Sequence, residues 1–283
     1  MNGSESIKRL PLAAPQGMVG IALLLICWPL NWSLPGVRTA YLFFPLWLGY
    51  ILVMDALVAA RTGQSLWQRS RREFILLFLV SAPAWWIFEF INQRTGNWEY
   101  RGSRSFSQIE HFFFSTISFS TVMPAVFETA EWVRTFGWVE RLGAGPRLKR
   151  RPTLLPGLLV MGLAMIALTV AFPRYCYPFV WTALVFVLEP LNSWLGRPHL
   201  LQDLELGDWR PIISLCVGSL ICGFFWEMWN FYSDPKWVYH TPGAQFLHLF
   251  EMPLLGYAGY IPFALELFAL RSLLFPGAPR LRL

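Results

Sequence analysis

Charged side chains are scarce in this chain. Only 14% of its 283 residues are Asp, Glu, Lys or Arg, whereas soluble proteins carry about 25%. The four cysteines form no CxxC pair and three of them lie within apolar runs, which argues against a disulfide framework or a zinc site. The sequence also lacks a phosphate-binding loop, a nucleophile elbow and an HExxH motif, so it predicts neither a cofactor nor a metal ion.

Apolar residues make up 55% of the chain and aromatic residues 17%. They fall in runs of about membrane-spanning length, separated by basic loops. We therefore predict an all-α, polytopic membrane protein in contact with the lipid bilayer. Its eight predicted spans are 18–34, 40–60, 74–92, 111–133, 154–172, 177–195, 212–232 and 246–271.

The positive charges lie in short loops between the apolar runs. Four arginines occur within 61–72, and five arginines with one lysine occur within 134–151. Because cationic loops stay on the cytoplasmic side, this pattern places both termini in the cytoplasm and the loops near 93–110 and 233–245 outside. The net charge of +6 is thus read as an orientation signal and not as a nucleic-acid-binding surface.

The first apolar stretch, from Met18 to Leu30, follows Lys8 and Arg9 and so resembles a signal peptide. It lacks a small-x-small cleavage site, and further spans follow it. We therefore predict a retained first helix in a multi-pass protein of the cell membrane.

An internal repeat divides the chain into predicted units 1–150 and 151–283, each of four helices. The matches at an offset of 138 or 139 residues are Glu89 with Glu227, Asn92 with Asn230, Trp98 with Trp237, Tyr100 with Tyr239, Pro124 with Pro262 and Glu128 with Glu266. Regular self-similarity of this kind indicates duplication. Because each unit has an even number of spans, the two should be parallel, related by an axis along the membrane normal.

The repeated Glu-x-x-Asn pair places two polar side chains on one helix face inside the membrane. A carboxylate at mid-bilayer costs roughly 2.5–3.5 kcal/mol, so such residues are usually functional or paired. Glu89 with Asn92 and Glu227 with Asn230 are the predicted catalytic residues, the amide orienting the carboxyl group. Desolvation favours a neutral Glu, which is suited to general acid catalysis. Alternatively, these side chains only hold helices together by hydrogen bonds.

Aromatic residues crowd the same level of the predicted membrane. We predict a cavity for an apolar substrate, whose ring faces would stabilise a cationic intermediate. Its predicted walls are Trp226, Trp229, Trp86 and Tyr239, with Trp237, Trp98 and Tyr100 at the same level. An interfacial aromatic belt explains the same pattern.

Three further acids and two prolines belong to this predicted site. Glu251, Glu266 and Glu128 are predicted substrate-binding residues, and Glu251 and Glu266 of the eighth span are expected to join Glu227. Pro124 and Pro262 are expected to kink the fourth and eighth spans, marking a site between the repeats. We interpret His111 and His248, at nearly equivalent positions, as polar interfacial residues in preference to a metal or haem pair.

Both halves contain the same order of features: a membrane Glu, a short outward loop with an aromatic-x-Tyr motif, and a proline-containing helix. The order covers Glu89 to Tyr100 with Pro124 in the first half, and Glu227 to Tyr239 with Pro262 in the second. This order resembles membrane carotenoid-processing enzymes, namely the carotenoid hydratase family and the lycopene cyclase domain. The resemblance implies acid-catalysed chemistry on a polyisoprenoid without a diffusible cofactor: a protonated Glu adds a proton to an alkene.

Two other functions fit the same features. Tandem repeats with intramembrane acids and paired helix breaks also occur in transporters and channels, and a non-catalytic membrane subunit would use the acids only to join helices. Within the enzyme hypothesis, duplicated halves often keep one working site. We expect Glu227 to matter more than Glu89, because the aromatic residues around it are denser.

Overall fold

The computed structural model describes residues 14–36, 38–102, 106–275, 277 and 281–283, and within them the chain is mostly helical. Five helices of this described part are long and apolar enough to cross a membrane. These five are α1 (Pro15–Ser33), α2 (Thr39–Thr62), α4 (Arg71–Thr95), α8 (Leu154–Ala171) and α12 (Arg210–Phe231). The remaining helices are α3 (Leu66–Arg69), α5 (Gln108–Phe119), α6 (Val122–Arg134), α7 (Gly137–Leu142), α9 (Pro173–Cys176), α10 (Ala183–Trp194), α11 (Leu200–Leu206) and α13 (Tyr260–Leu274).

The five long helices coincide with five of the eight predicted spans, but the other three spans are not single helices. The segment 111–133 is divided between α5 and α6 at Ser120 and Thr121. The segment 177–195 begins with a 3₁₀ turn before α10. The segment 246–271 contains two short strands and a 3₁₀ turn before α13. Hydropathy does not report these breaks, because an average over a membrane-spanning window stays apolar when it contains a few polar residues such as Ser120 and Thr121.

The two repeated prolines lie in the first turns of helices and do not kink them. Pro124 is the third residue of α6 and Pro262 the third residue of α13. A proline is tolerated there because the first amides of a helix have no intrahelical acceptor. The predicted kinks at these prolines are therefore wrong, and the prolines instead follow the breaks at which α6 and α13 begin.

Small residues bring neighbouring helices into close contact. Gly20 of α1 faces Gly49 of α2, so that a Cβ on either glycine would meet the backbone of the other. Gly162 of α8 meets α10 in a similar way, and Gly218 of α12 lies against the backbone of Ala130 in α6. Close approach of backbones is the usual packing mode of helices that lack water between them.

Two buried carboxyl groups anchor short helices that follow long ones. Asp55 of α2 accepts a hydrogen bond from the Trp67 amide at the start of α3, at 3.1 Å. Glu189 of α10 accepts one from the Leu201 amide at the start of α11, at 3.0 Å. The first amides of a helix need such acceptors. Both carboxyl groups therefore have a structural role, and both bonds join residues twelve apart in sequence.

Two buried ion pairs connect other elements. Glu73 of α4 pairs with Arg271 of α13, and both side chains are almost fully buried. Arg69 of α3 lies 2.5 Å from Glu131 of α6, and Glu131 also accepts from the backbone amide of Arg282 near the C-terminus. The Glu73–Arg271 pair joins the two halves of the chain, whereas the Arg69–Glu131 pair lies within the first half.

The aromatic-x-Tyr motifs of the two halves form a two-stranded antiparallel ribbon. Strand β1 (Trp98–Arg101) pairs with β2 (Lys236–Tyr239). Two shorter strands, β3 (His248–Leu249) and β4 (Met252–Pro253), pair with each other. In the ribbon Trp98 lies opposite Tyr239, and Tyr100 lies opposite Trp237. Since alternate residues of a strand share a face, these four aromatic residues project from the same side. We call them the aromatic tetrad.

Candidate functional site

The aromatic tetrad hydrogen-bonds the carboxyl group of Glu89 on one side. Tyr100 donates to Oε1 of Glu89 at 2.6 Å and Trp98 donates to the same oxygen at 3.1 Å. Trp85, one turn earlier on α4, adds a third donor at 3.0 Å. Glu89 is partly exposed. All three donors are directed at one oxygen, which fixes the orientation of the Glu89 carboxyl group.

The tetrad also hydrogen-bonds the carboxyl group of Glu227. Tyr239 donates to Oε1 of Glu227 at 2.7 Å, and Tyr260 of α13 donates to the same atom at 2.7 Å. Trp237 supports the arrangement by donating to the Tyr239 hydroxyl at 2.8 Å. Glu227 is 0% exposed, and its Oε2 atom has no hydrogen-bond partner among the residues described.

The tyrosines of the tetrad remain protonated. Burial raises the pKa of the Tyr100 hydroxyl well above its ordinary value, and the nearby Glu89 raises it further. Burial and then Glu227 raise the pKa of Tyr239 in the same way. Both hydroxyls are therefore donors to their carboxyl groups, and each pair forms a short O–H···O contact through which a proton can move.

The asparagines of the two motifs do not contact the carboxyl groups as predicted; each holds a strand of the ribbon. Asn92 donates to the carbonyl of Trp98 at 2.8 Å and accepts from the Trp98 amide at 3.2 Å. Asn230 makes the same pair of bonds with Trp237, at 2.7 and 2.9 Å. An amide can do this because it carries both a donor and an acceptor, so the asparagines position the strand that presents the aromatic rings.

A cavity of about 500 Å³ lies beside the tetrad. Its size is within the range of small-molecule sites, which are usually apolar with a few convergent polar groups. All four tetrad residues line it, together with Trp85, Trp226 and Tyr260. Other lining residues are Phe106, His111, Phe114, Phe119, Trp181 and Phe263. Glu89 and Glu227 lie behind this aromatic wall, in contact with it through their hydrogen bonds.

Of the predicted wall residues, Trp226 and the tetrad line the cavity but Trp86 and Trp229 do not. Trp86 bonds Thr116 at 3.1 Å and stacks on Phe112, between α4 and α5. Trp229 is almost fully buried and packs edge-to-face on Trp47. Both side chains project from a helix face other than the one that lines the cavity. Their closeness in sequence to Glu89 and Glu227 does not show which face they occupy.

The three additional acids assigned to the site lie elsewhere. Glu251 forms an ion pair with Lys236. Glu266 is buried and accepts from the Leu184 amide at 3.0 Å. Glu128 is fully buried in α6. None of the three lines the cavity. Glu128 and Glu266 lie on helices and Glu251 lies in the turn between β3 and β4, so presence on the same predicted span does not place an acid at the cavity.

Sequence reasoning missed Tyr260 and the wall formed by α5 and the 3₁₀ turn Tyr177–Trp181. Tyr260 has no tyrosine counterpart in the first half, where Val122 stands 138 residues earlier. A weak signal was present: Gly223 stands 138 residues after Trp85, so the second half lacks the indole that serves Glu89. A missing donor beside a buried carboxyl group predicts a replacement from another helix.

Comparison of the chain with protein-family models, with curated proteins and with solved structures found no match.

Proposed function

We propose that the chain is an integral membrane enzyme that performs acid-catalysed chemistry on a polyisoprenoid or another apolar lipid. The proposal includes eight spans with both termini in the cytoplasm. The predicted carotenoid-type resemblance points to the same substrate class. Glu227 is the proposed acid, with Tyr239 and Tyr260 between its carboxyl group and the substrate.

The observation that carries the proposal is the position of the two carboxyl groups. Each is hydrogen-bonded to hydroxyls whose rings line one apolar, aromatic cavity. A residue that only joins helices has no need of a cavity on its far side. Aromatic ring faces next to a proton donor are suited to an alkene substrate, because they stabilise the cation that protonation produces.

The proton donor reaches the substrate through a tyrosine. In this step the hydroxyl of Tyr239 or Tyr260 turns from Oε1 of Glu227 towards the cavity. As the alkene π electrons form a new C–H bond, that O–H bond breaks, and the carboxyl proton of Glu227 passes from Oε1 to the tyrosine oxygen 2.7 Å away. The products of this step are a carbocation and an ionised Glu227. Both tyrosines then donate to the carboxylate, which offsets its desolvation. General acid catalysis of this kind typically contributes 10²–10⁴-fold to a rate.

The reciprocal pairing in the ribbon supports the parallel-repeat part of the proposal. Trp98 and Trp237 are repeat equivalents, as are Tyr100 and Tyr239, and each Trp lies opposite the other half's Tyr. Two equivalent strands related by a twofold axis must pair in this reciprocal way. The matched anchoring of α3 by Asp55 and of α11 by Glu189 supports the same relationship.

The test compares lipids extracted from cells that express the wild-type chain, Glu227→Gln or Glu99→Gln. Gln keeps the size and accepting oxygen of Glu but has no acidic proton. Glu99 is a matched control, because it lies on the other face of the ribbon and is exposed, paired with Arg101. We expect a lipid change with the wild type and Glu99→Gln, and at least a 100-fold smaller change with Glu227→Gln. Equal conversion by a folded Glu227→Gln protein would refute the acid role.

A further inference from the structure

The two carboxyl groups at the cavity have different surroundings. Glu89 is partly exposed and receives three donors on one oxygen. Glu227 is fully buried, receives two donors on Oε1 and leaves Oε2 without a partner among the described residues. A fully buried carboxylate with one oxygen lacking a donor is costly, so Glu227 is the member of the pair that carries a proton. Paired titratable groups in contrasting environments commonly divide acid and base roles between them.

Resting on the proposed function, we infer that both halves work in one reaction: Glu227 is the general acid and Glu89, through Tyr100, is the general base. Both relays open onto one cavity, since Tyr100 and Tyr239 line it together. The ribbon holds them in fixed register, with Tyr100 opposite Trp237 and Trp98 opposite Tyr239. This differs from the expectation that only one half is functional.

The base step follows the observed direction of hydrogen bonding. A C–H bond next to the carbocation breaks, and its electron pair forms the new alkene. The proton goes to the Tyr100 oxygen as the Tyr100 proton passes to Oε1 of Glu89, 2.6 Å away. Glu89 ends protonated and Glu227 ionised. Exchange with water restores both, and the partial exposure of Glu89 gives its proton a route out.

This division of roles determines the reaction class. One proton enters the substrate and one leaves, so the product is an isomer of the substrate, formed by double-bond migration or by cyclisation. Water is not added. The substrate class is therefore a neutral polyene lipid that has an alkene to protonate and a C–H bond beside the resulting cation.

Infrared spectroscopy of the purified protein tests the assignment without a substrate. We expect Glu227→Gln to remove intensity from the C=O stretch of protonated carboxyl groups. Glu89→Gln and the control Glu99→Gln should leave that band unchanged and reduce the carboxylate band. Glu227→Asp, which keeps a carboxyl group, serves if Glu227→Gln does not fold, and should shift the protonated band. Loss of protonated intensity in Glu89→Gln, or of carboxylate intensity in Glu227→Gln, would overturn the inference.

Membranes that already contain the precursor lipid, transferred to deuterated water before the reaction, separate this inference from the proposed function. We expect the product to carry deuterium and otherwise to have the composition of its precursor, and Glu89→Gln to lower its formation about 100-fold. A product that has gained the elements of water, or full activity of Glu89→Gln, would overturn the base role while leaving the acid role intact. Full activity of Glu227→Gln would instead overturn the proposed function itself.

Discussion

The ring of Tyr260 occupies the space that a side chain at Gly223 would need. A Cβ placed on Gly223 would lie 2.5 Å from two carbons of that ring. At the equivalent position in the first half, Trp85 projects from α4 and donates to Glu89. In the second half, the phenol of Tyr260 from α13 therefore takes the place of the Trp85 indole as a donor to the carboxyl group. This hydrogen bond connects α13 to Glu227.

Gly223→Ala should displace Tyr260 from Glu227. Overpacking a tight contact costs about 1–3 kcal/mol, and the lost hydrogen bond should also reduce conversion of the lipid. The measurements are thermal unfolding in detergent and the lipid assay. Gly157→Ala in α8 is the control, because a Cβ there meets nothing within 4 Å; it should be neutral or slightly stabilising. Equal behaviour of the two variants would contradict the steric argument.

Asn230→Ala should release β2 from the end of α12. Asn230 is 0% exposed and makes two hydrogen bonds to the Trp237 backbone. Leaving buried backbone groups without partners costs about 1–3 kcal/mol. We expect a lower unfolding temperature and faster hydrogen exchange at Trp237. Asn92→Ala should cost less, since Asn92 is partly exposed. Unchanged exchange in both variants would show that the ribbon does not depend on these amides.

Glu73→Gln should destabilise the protein by about 3–5 kcal/mol, because it removes the negative charge that pairs with the buried Arg271. The double variant Glu73→Leu with Arg271→Met should recover most of that loss, since an apolar pair avoids the desolvation cost of both ions. Unfolding of the three proteins in detergent measures the difference. A double variant as unstable as Glu73→Gln would indicate that the ion pair contributes specific contacts that apolar packing does not replace.

Reporter fusions test the proposed orientation. Fusions at residues 67 and 145 should report the cytoplasmic side and fusions at residues 102 and 240 the outer side, because arginines concentrate in the first pair of loops. Residues 102 and 145 reporting the same side would contradict the eight-span proposal. If residues 67 and 145 report the outer side and residues 102 and 240 the cytoplasmic side, the eight spans are retained and only the proposed orientation is wrong.

Several features followed from the sequence alone. Hydropathy and length predicted the five long helices, because a helix able to cross a bilayer requires an uninterrupted apolar run. The repeat identified Glu89, Glu227 and the four tetrad residues, since self-similarity depends only on residue identity. The repeat also singled out Asn92 and Asn230 as paired residues, but their local helical spacing gave no information about the strand that each one binds.

The tertiary structure decided which of these residues meet. Trp98 pairs with Tyr239 across 141 positions of sequence, and Tyr260 reaches Glu227 from another helix; neither contact has a local periodicity. Tertiary packing also determines the breaks before α6 and α13. It determines the rotation of each helix about its axis, which keeps Trp86, Trp229 and Glu266 out of the cavity wall. A hydropathy window averages over all faces of a helix, whereas packing selects the face that lines a site.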